Sequence, residues 1–412
     1  MTTTGHLTHC QACSSRKLTP ILSLGHQPIV QEYLTEESLG THEETYPLNL
    51  VLCDTCKLSQ LDYIVDPKKV FPKQYPYRTG LTNMLIRNFE QLAGTLHDNA
   101  YFETGDLVVD IGSNDGTLLK PFKAKGARVL GVEPTNAAKD AQKNGIPTIQ
   151  DFFAEKAVAA IKKKYGHARV ISATNVFAHI NDTPRLVKNV KALMNADSVF
   201  VSESQYFLDT IEKTEFDCIY HEHLRFYTLK PFMHLMERHG LSVIDAERIT
   251  AAGGSIRIYV KKGKHSLSPR AQQILAAEKK AGVHDEKTLR AFADRVHEAK
   301  RALLSLLIEC KEKGAIAALG SPARSNTLLG FTHIDATFID YAGEKKGSPK
   351  IGLYTPGTHI PVVDEAKIIA AQPPYLLILS WHIGEELMDI MRKKGYTGSF
   401  VVPLPKPRIV RA

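Results

Sequence analysis

The chain has 412 residues, 43% hydrophobic and 23% charged, with a formal net charge of +8. This length exceeds what one hydrophobic core organises, so two or three domains are expected. No apolar run approaches the roughly 20 residues of a membrane span and the opening MTTTGHLTHC has no apolar signal core, so a cytoplasmic chain without membrane contact is expected. The basic residues are scattered through helical stretches such as Lys162-Lys163-Lys164 and Lys279-Lys280 rather than interleaved with aromatics, which argues against a nucleic-acid partner.

Four of the six cysteines fall in the first sixty residues as two CxxC knuckles, Cys10 with Cys13 and Cys53 with Cys56. Four thiolates in a tetrahedral set are what a structural zinc prefers, and four protein ligands leave no open position for chemistry. Disulfides are the alternative, disfavoured in a reducing compartment. The long insert between the knuckles is tolerable because loop-closure entropy grows slowly with length. His9, beside Cys10, is read as a bystander. Tyr75, Pro76 and Tyr77 then make an aromatic turn, with packing at a domain junction as its plainest reading, and a helix is predicted over 81–96.

Residues 107–134, LVVDIGSNDGTLLKPFKAKGARVLGVEP, read as strand, glycine turn, helix and second strand. Glycines allow close approach to a ligand, and the helix start offers free N–H groups. Asp110 ends the first strand, Gly112, Asn114 and Asp115 lie in the turn, and Glu133 before Pro134 ends the second, where an acid can accept from ribose hydroxyls. The GxGxxG spacing is missing, and Asp115 stands where a pyrophosphate would sit, which disfavours NAD. A cationic, phosphate-free nucleoside such as S-adenosylmethionine fits an acidic loop better, and the stretch resembles the first motif of class I methyltransferases.

Strand and helix alternate over 101–262, as a doubly wound sheet requires. A third strand over 148–150 leads to Asp151 and Phe152, an acid and an aromatic placed to meet an adenine. A fourth, over 169–174, leads to Asn175-Val176-Phe177-Ala178-His179 at the carboxyl edge, where open α/β sheets bind ligands, and a fifth spans 198–203. Next comes a segment with Tyr220, His221, Glu222 and His223 side by side. Adjacent residues converge on a metal less readily than an HExxH pair does. A neutral histidine as base, a carboxylate to hold its tautomer and a tyrosine to meet an oxyanion are the parts needed to remove a proton next to a ketone. A polar loop satisfying its own backbone is the competing reading, for His221 above all.

Further on, Leu289, Phe292, Val296, Ala299, Leu303, Leu306 and Cys310 recur every three or four residues, one apolar stripe expected to pack between domains. A second α/β unit follows Gly314, with strands predicted over 315–319, 336–341, 375–381 and 399–402. Its turn, Gly320-Ser321-Pro322-Ala323-Arg324-Ser325, has small residues, hydroxyls and a cation at a helix start, which suits a phosphate.

The order of paired CxxC knuckles, YPY, GSNDG, NVFAH, YHEH, GSPARSNT and YTPGTHIP resembles the zinc-binding, S-adenosylmethionine-dependent sugar C-methyltransferases, which act on nucleotide-linked 4-keto-deoxysugars. The resemblance covers nearly the whole chain. It implies an N-terminal zinc domain (1–66), a central Rossmann-like class I methyltransferase domain (67–262), a helical connector (263–313) and a C-terminal Rossmann-like α/β domain (314–412) that helps hold the sugar nucleotide. It implies His223 as the base at carbon 3, Glu222 as its support, Tyr220 stabilising the enolate, Tyr75 or Tyr77 lining the pocket, and Asn175 and His179 as a polar pair. Arg324-Ser325 departs from the lysine and glycine expected in the C-terminal turn. The implied enzyme needs S-adenosylmethionine and a structural zinc, no active-site metal, a nucleotide-diphosphate-linked keto-sugar as substrate, and a monomer is expected. An O- or N-methyltransferase on a sugar or other small metabolite is the alternative, distinguished by a substrate with no ketone.

Overall fold

The computed structural model describes residues 4–71, 78–81 and 83–411. Tyr75 and Tyr77 lie outside the described residues. Among the described residues three large sheets organise the chain, beside a two-stranded pairing of Gly5–His6 with Tyr63–Ile64. The first pairs β1 (Leu18–Gln27), β2 (Tyr46–Cys53) and β3 (Ser59–Leu61) antiparallel, and its fourth strand, Arg225–Phe226, arrives from far along the chain to pair with β3.

The central sheet has seven strands. They are β4 (Leu107–Ile111), β5 (Arg128–Val132), β6 (Thr148–Ile149), β7 (Ala168–Thr174), β8 (Met194–Gln205), β9 (Leu241–Ile249) and β10 (Ser255–Lys262), in the order β9-β10-β8-β7-β4-β5-β6. β4 to β8 run parallel, and their near-continuous Val, Ile and Leu runs suit strands covered on both faces. β9 and β10 form an antiparallel hairpin that closes one side. Because the chain winds from β4 toward β5 on one side and toward β7 on the other, a crevice opens beyond the carboxyl ends of β4 and β7. Helix α1 (Asn83–Asp98) buries Leu85, Phe89, Leu92, Ala93 and Leu96 on one face, the helical period that its sequence predicts.

The third sheet takes β11 (Ile316–Leu319), β12 (Ala342–Glu344), β13 (Val362–Asp364), β14 (Tyr375–Ile378), β15 (Ser399–Val402) and β16 (Arg408–Val410), in the order β13-β12-β11-β14-β15-β16. All neighbours are parallel except β15 and β16. The alternating residues 336–341 do not form a strand. Asp335 accepts from the backbone N–H and hydroxyl of Thr337, and its carbonyl accepts from Phe338 and Ile339, so the backbone turns there and pairing begins at Ala342. The strand predicted over 375–381 stops at Ile378 and gives way to a single turn, Trp381–Ile383.

The apolar stripe rides on α2 (Glu286–Lys313), which buries Leu289, Phe292, Val296, Ala299, Leu303, Leu307 and Cys310, with Leu306 partly covered beside them. This helix packs on β1 and on α3 (Ala323–Thr332), so the stripe lies between the first sheet and the third. One core runs through all three sheets, from Leu50 to Val109 to Ala318.

Candidate active site

The cofactor cradle is built almost wholly from contiguous chain. After β4, Gly112 takes φ +67°, and a Cβ there would lie 2.6 Å from Val176 Cγ2, so both the backbone angle and the space require glycine. Asn114 also has a positive φ, which asparagine tolerates better than most residues. Glu133 is buried and bridges the turn: one carboxylate oxygen accepts from Asn114 N–H at 3.0 Å and the other from Thr135 N–H at 2.9 Å. An oxygen with one partner still has a lone pair for a ligand hydroxyl.

Asp115 accepts from the hydroxyl and N–H of Thr117 at 2.6 and 3.2 Å and from Gly80 N–H at 2.9 Å, while Asn114 Oδ1 accepts from Thr79 N–H. The segment before α1 is thereby pinned over the loop. Asp110 accepts from Ser172 Oγ at 2.7 Å across the crevice, and burial, with Glu133 adding, pushes its carboxyl up to about 7. Pro134 follows Glu133 at the end of β5. Asp151 and Phe152 stand in solvent beyond β6, Phe152 62% exposed, with the Phe152 N–H donating to Asp151 Oδ1. Asn175, at φ +55°, donates its N–H to the Glu203 carbonyl at 2.7 Å, and Glu203 is itself gripped by Arg257 and Asn88.

The second part of the site is the 215–227 segment. His223 donates Nδ1–H to the Cys218 carbonyl at 2.7 Å. A carbonyl cannot donate, so Nδ1 carries the proton and Nε2 keeps its lone pair. Burial pushes the imidazole down to about 4 although the Cys218 carbonyl raises it, and Arg324 adds to the lowering, so the ring is neutral near pH 7. Tyr220 packs on it with ring centroids 4.0 Å apart, and His179 lies 4.9 Å away on its own stack with Phe71. Burial, His223 and Arg225 hold His179 well below the usual histidine range. Glu222 is buried. His221 turns away: its Nε2 donates to the Pro47 carbonyl at 3.3 Å and its ring meets Tyr46.

Arg324 departs from the phosphate-binding expectation. Its fork makes a two-point bond to Asp217 at 2.7 and 2.8 Å and reaches Glu215 at 3.3 Å, while the Trp381 indole donates to Asp217 at 2.8 Å and stacks on the guanidinium. The cation of the C-terminal turn is thus spent on the segment that carries His223. Nothing local in the sequence announces a pair separated by 107 positions. Arg225, buried, and Gln11, half-buried beside this segment, are likewise invisible in the sequence pattern.

In the first sheet the four sulfurs of Cys10, Cys13, Cys53 and Cys56 lie within 4.8 Å of one another, with 3.5 Å between Cys10 and Cys56 and between Cys13 and Cys53. A disulfide needs about 2.05 Å, whereas a tetrahedron with metal–sulfur bonds of about 2.3 Å has edges of about 3.8 Å, so the cluster fits a zinc.

Comparison with known proteins matches three family models in series: a zinc-binding domain over 10–71, a methyltransferase domain over 84–246 and a C-methyltransferase C-terminal domain over 250–405. The C-methyltransferase NovU of Streptomyces niveus is 30% identical over 410 residues, 98% of this chain and 97% of that one. The chain belongs to the C-methyltransferase family. Among solved structures, magnesium protoporphyrin IX methyltransferase of Synechocystis PCC 6803 with bound S-adenosylmethionine matches 44% of this chain and 80% of that one, at 13% identity and TM-score 0.34. An S-adenosylmethionine-dependent methyltransferase of Clostridium acetobutylicum ATCC 824 matches 45% and 97%, at 12% identity and TM-score 0.36. With the methyltransferase-domain match lying on its central sheet, this C-methyltransferase is S-adenosylmethionine-dependent, and it carries a zinc-binding four-cysteine cluster at its N-terminus. Among the described residues, no helix is long and apolar enough to cross a membrane.

Proposed function

We propose that this C-methyltransferase places a methyl on carbon 3 of a nucleotide-diphosphate-linked 4-keto-deoxysugar through an enolate, with His223 as base. The observation that supports this most is the bond from His223 Nδ1–H to the Cys218 carbonyl, which leaves Nε2 as a neutral acceptor in a half-enclosed site. The ketone at carbon 4 acidifies the neighbouring C–H; Nε2 takes that proton while Tyr220, packed on the same ring, donates to the developing oxyanion. His179 and Asn175 line the edge between base and cradle, and Glu222 supports the base. Glu133 holds the ribose hydroxyls, Asp110, Gly112, Asn114, Asp115 and Pro134 shape the loop beneath the cofactor, and Asp151 and Phe152 meet the adenine. S-adenosylmethionine supplies the methyl as an activated sulfonium, so the chain need supply only deprotonation and positioning.

The units 1–66, 67–262, 263–313 and 314–412 act as zinc module, cofactor domain, connector and sugar-nucleotide domain. A reducing cytoplasm suits the four free thiols of the cluster, and the protein acts as a monomer without nucleic acid.

The test is proton–deuterium exchange at carbon 3 of a thymidine-diphosphate-linked 4-keto-6-deoxyhexose in heavy water, followed by NMR. Wild type is expected to catalyse exchange without cofactor and to add a methyl signal with it. His223→Ala is expected to lose exchange while binding S-adenosylmethionine unchanged; persistence of exchange in that variant defeats the assignment.

A further inference from the structure

One fully buried arginine takes no part in the chemistry above. Arg225 is 1% exposed, on the short strand that completes the N-terminal sheet, its register partner Gln60. Among the described residues, the hydrogen bonds of its two terminal nitrogens go only to neutral oxygens. One nitrogen donates to Gln11 Oε1; the other donates to the carbonyls of Phe177, Ala178 and Ile180. A buried guanidinium without a carboxylate depends on these acceptors: its Nε finds none among the described residues, and losing Gln11 would leave one terminal nitrogen bare as well. Its planar fork also fixes the direction of every acceptor it holds.

Those acceptors frame the reacting histidines. His179 sits between Ala178 and Ile180, both of whose carbonyls bond Arg225. His223 precedes Leu224, whose N–H donates to the Ala178 carbonyl at 3.0 Å and whose carbonyl accepts from Leu61 N–H at 3.0 Å and from Gln11 Nε2 at 3.3 Å. Gln11 thus touches both the arginine and the residue next to the base. Gln11 is itself held by Gln60 Oε1, which accepts its N–H at 2.8 Å, and by the Leu61 carbonyl. Above all, it stands between Cys10 and Cys13, so the knuckle fixes its backbone.

We infer that Gln11 and Arg225 are positioning residues through which the zinc knuckle sets the His179–His223 pair. The knuckle does more than staple a small sheet: Cys10 and Cys13, which would hold a zinc, flank a residue whose side-chain amide steadies at its two ends the backbone beside the two imidazoles, 4.9 Å apart. Outer partners of this kind alter rate by about 10–100-fold when removed. The inference rests on the reading of His223 as base.

The test uses the full-length, zinc-loaded enzyme. Gln11→Leu is expected to keep zinc content and S-adenosylmethionine affinity within twofold, and to lower the rate of carbon-3 exchange about 10–100-fold with little change in substrate KM. The nitrogen-15 signals of the His223 imidazole, which report a single Nδ1–H tautomer in wild type, are expected to broaden into a mixture. Gln11→Glu, which keeps an acceptor for Arg225 but loses the Nε2–H bonds to the Leu61 and Leu224 carbonyls, is expected to restore exchange only in part, on the same hydrogen-bond reasoning. Arg225→Lys, distant from the cysteines in sequence, tests the same bond from its other end and should reproduce the loss with full zinc content, since an ammonium cannot span both sets of acceptors. Wild-type exchange and an unchanged His223 spectrum in Gln11→Leu or Arg225→Lys overturn the inference. Loss of exchange in His223→Ala beside a normal Gln11→Leu defeats the positioning role alone, whereas persistent exchange in His223→Ala defeats the base itself.

Discussion

The proposed cofactor cradle and the segment that carries the proposed base illustrate two ways of making a site. In the cradle, Asp110, Gly112, Asn114, Asp115 and Glu133 belong to one strand–turn–helix–strand unit, and their side-chain hydrogen bonds reach no further than the 62 positions between Asp110 and Ser172. The segment that carries the proposed base is held from two directions by residues remote in sequence: Gln11 lies 214 positions from Arg225, and Arg324 lies 107 from Asp217. A site made locally survives damage elsewhere in the molecule, whereas a site made by long-range clamps registers every change in the parts that hold it.

Arg324→Met is the harshest way to break that contrast. It strands Asp217 and Glu215 as buried carboxylates, a loss of about 3–5 kcal/mol by analogy with other broken buried pairs, and it loosens the turn carrying the Cys218 carbonyl. A marked drop in melting temperature is expected, together with a slower carbon-3 exchange and, at temperatures where the chain is folded, unchanged affinity for S-adenosylmethionine measured by calorimetry. Weakened cofactor binding with normal exchange would contradict the division.

Gly112→Ala sharpens the same division from the other side. A methyl 2.6 Å from Val176, at a positive φ, is expected to cost roughly 1–3 kcal/mol, most of it read as a rise in cofactor Kd. Exchange at carbon 3, which needs no cofactor, should stay near wild type in heavy-water NMR.

The smallest effect concerns pH. His223, as the proposed base held at about 4, would be protonated and inactive only as the pH falls through that value. Exchange is therefore expected to change less than twofold between pH 8 and 5.5, where an unperturbed histidine of pKa about 6.5 would lose about tenfold. The stability effect runs in the same direction. His221, His223 and His284, all held down to about 4 by burial, resist protons that the unfolded chain takes up below about 6.5, so stability is lost as pH falls from 6.5 toward 4. Circular dichroism at each pH separates unfolding from loss of the base; an acid limb near 6.5 in folded protein would show that burial does not hold the proposed base at about 4.

How much of this was legible follows the same contrast. The cradle and the two knuckles announce themselves because glycines, acids and cysteines at fixed spacing carry their reason locally. The stripe on α2 is equally plain, with Leu307 rather than Leu306 facing the core because the helix drifts against a strict repeat. The YHEH segment shows which side chains lie side by side in sequence but not how they point, since His221 bonds to Pro47 and His223 to Cys218 by tertiary contact. Arg324 reads as a phosphate ligand because the turn around it has the right composition; its acidic partners lie in another sheet's connection. Residues 336–341 alternate like a strand, yet the Asp335 side chain captures the backbone first.

The strand Arg225–Phe226 also governs how such enzymes can be recombined. It supplies the outer neighbour of Ser59–Leu61, so grafting one N-terminal segment onto another body joins two halves of a single hydrogen-bonded edge. A chimera that exchanges the first sixty-odd residues alone leaves Gln60 and Gln11 facing a foreign strand, with an unmatched edge prone to pairing with other chains. Parts exchange cleanly only when the short strand travels with the cysteines, which makes two distant stretches of the gene one unit of inheritance.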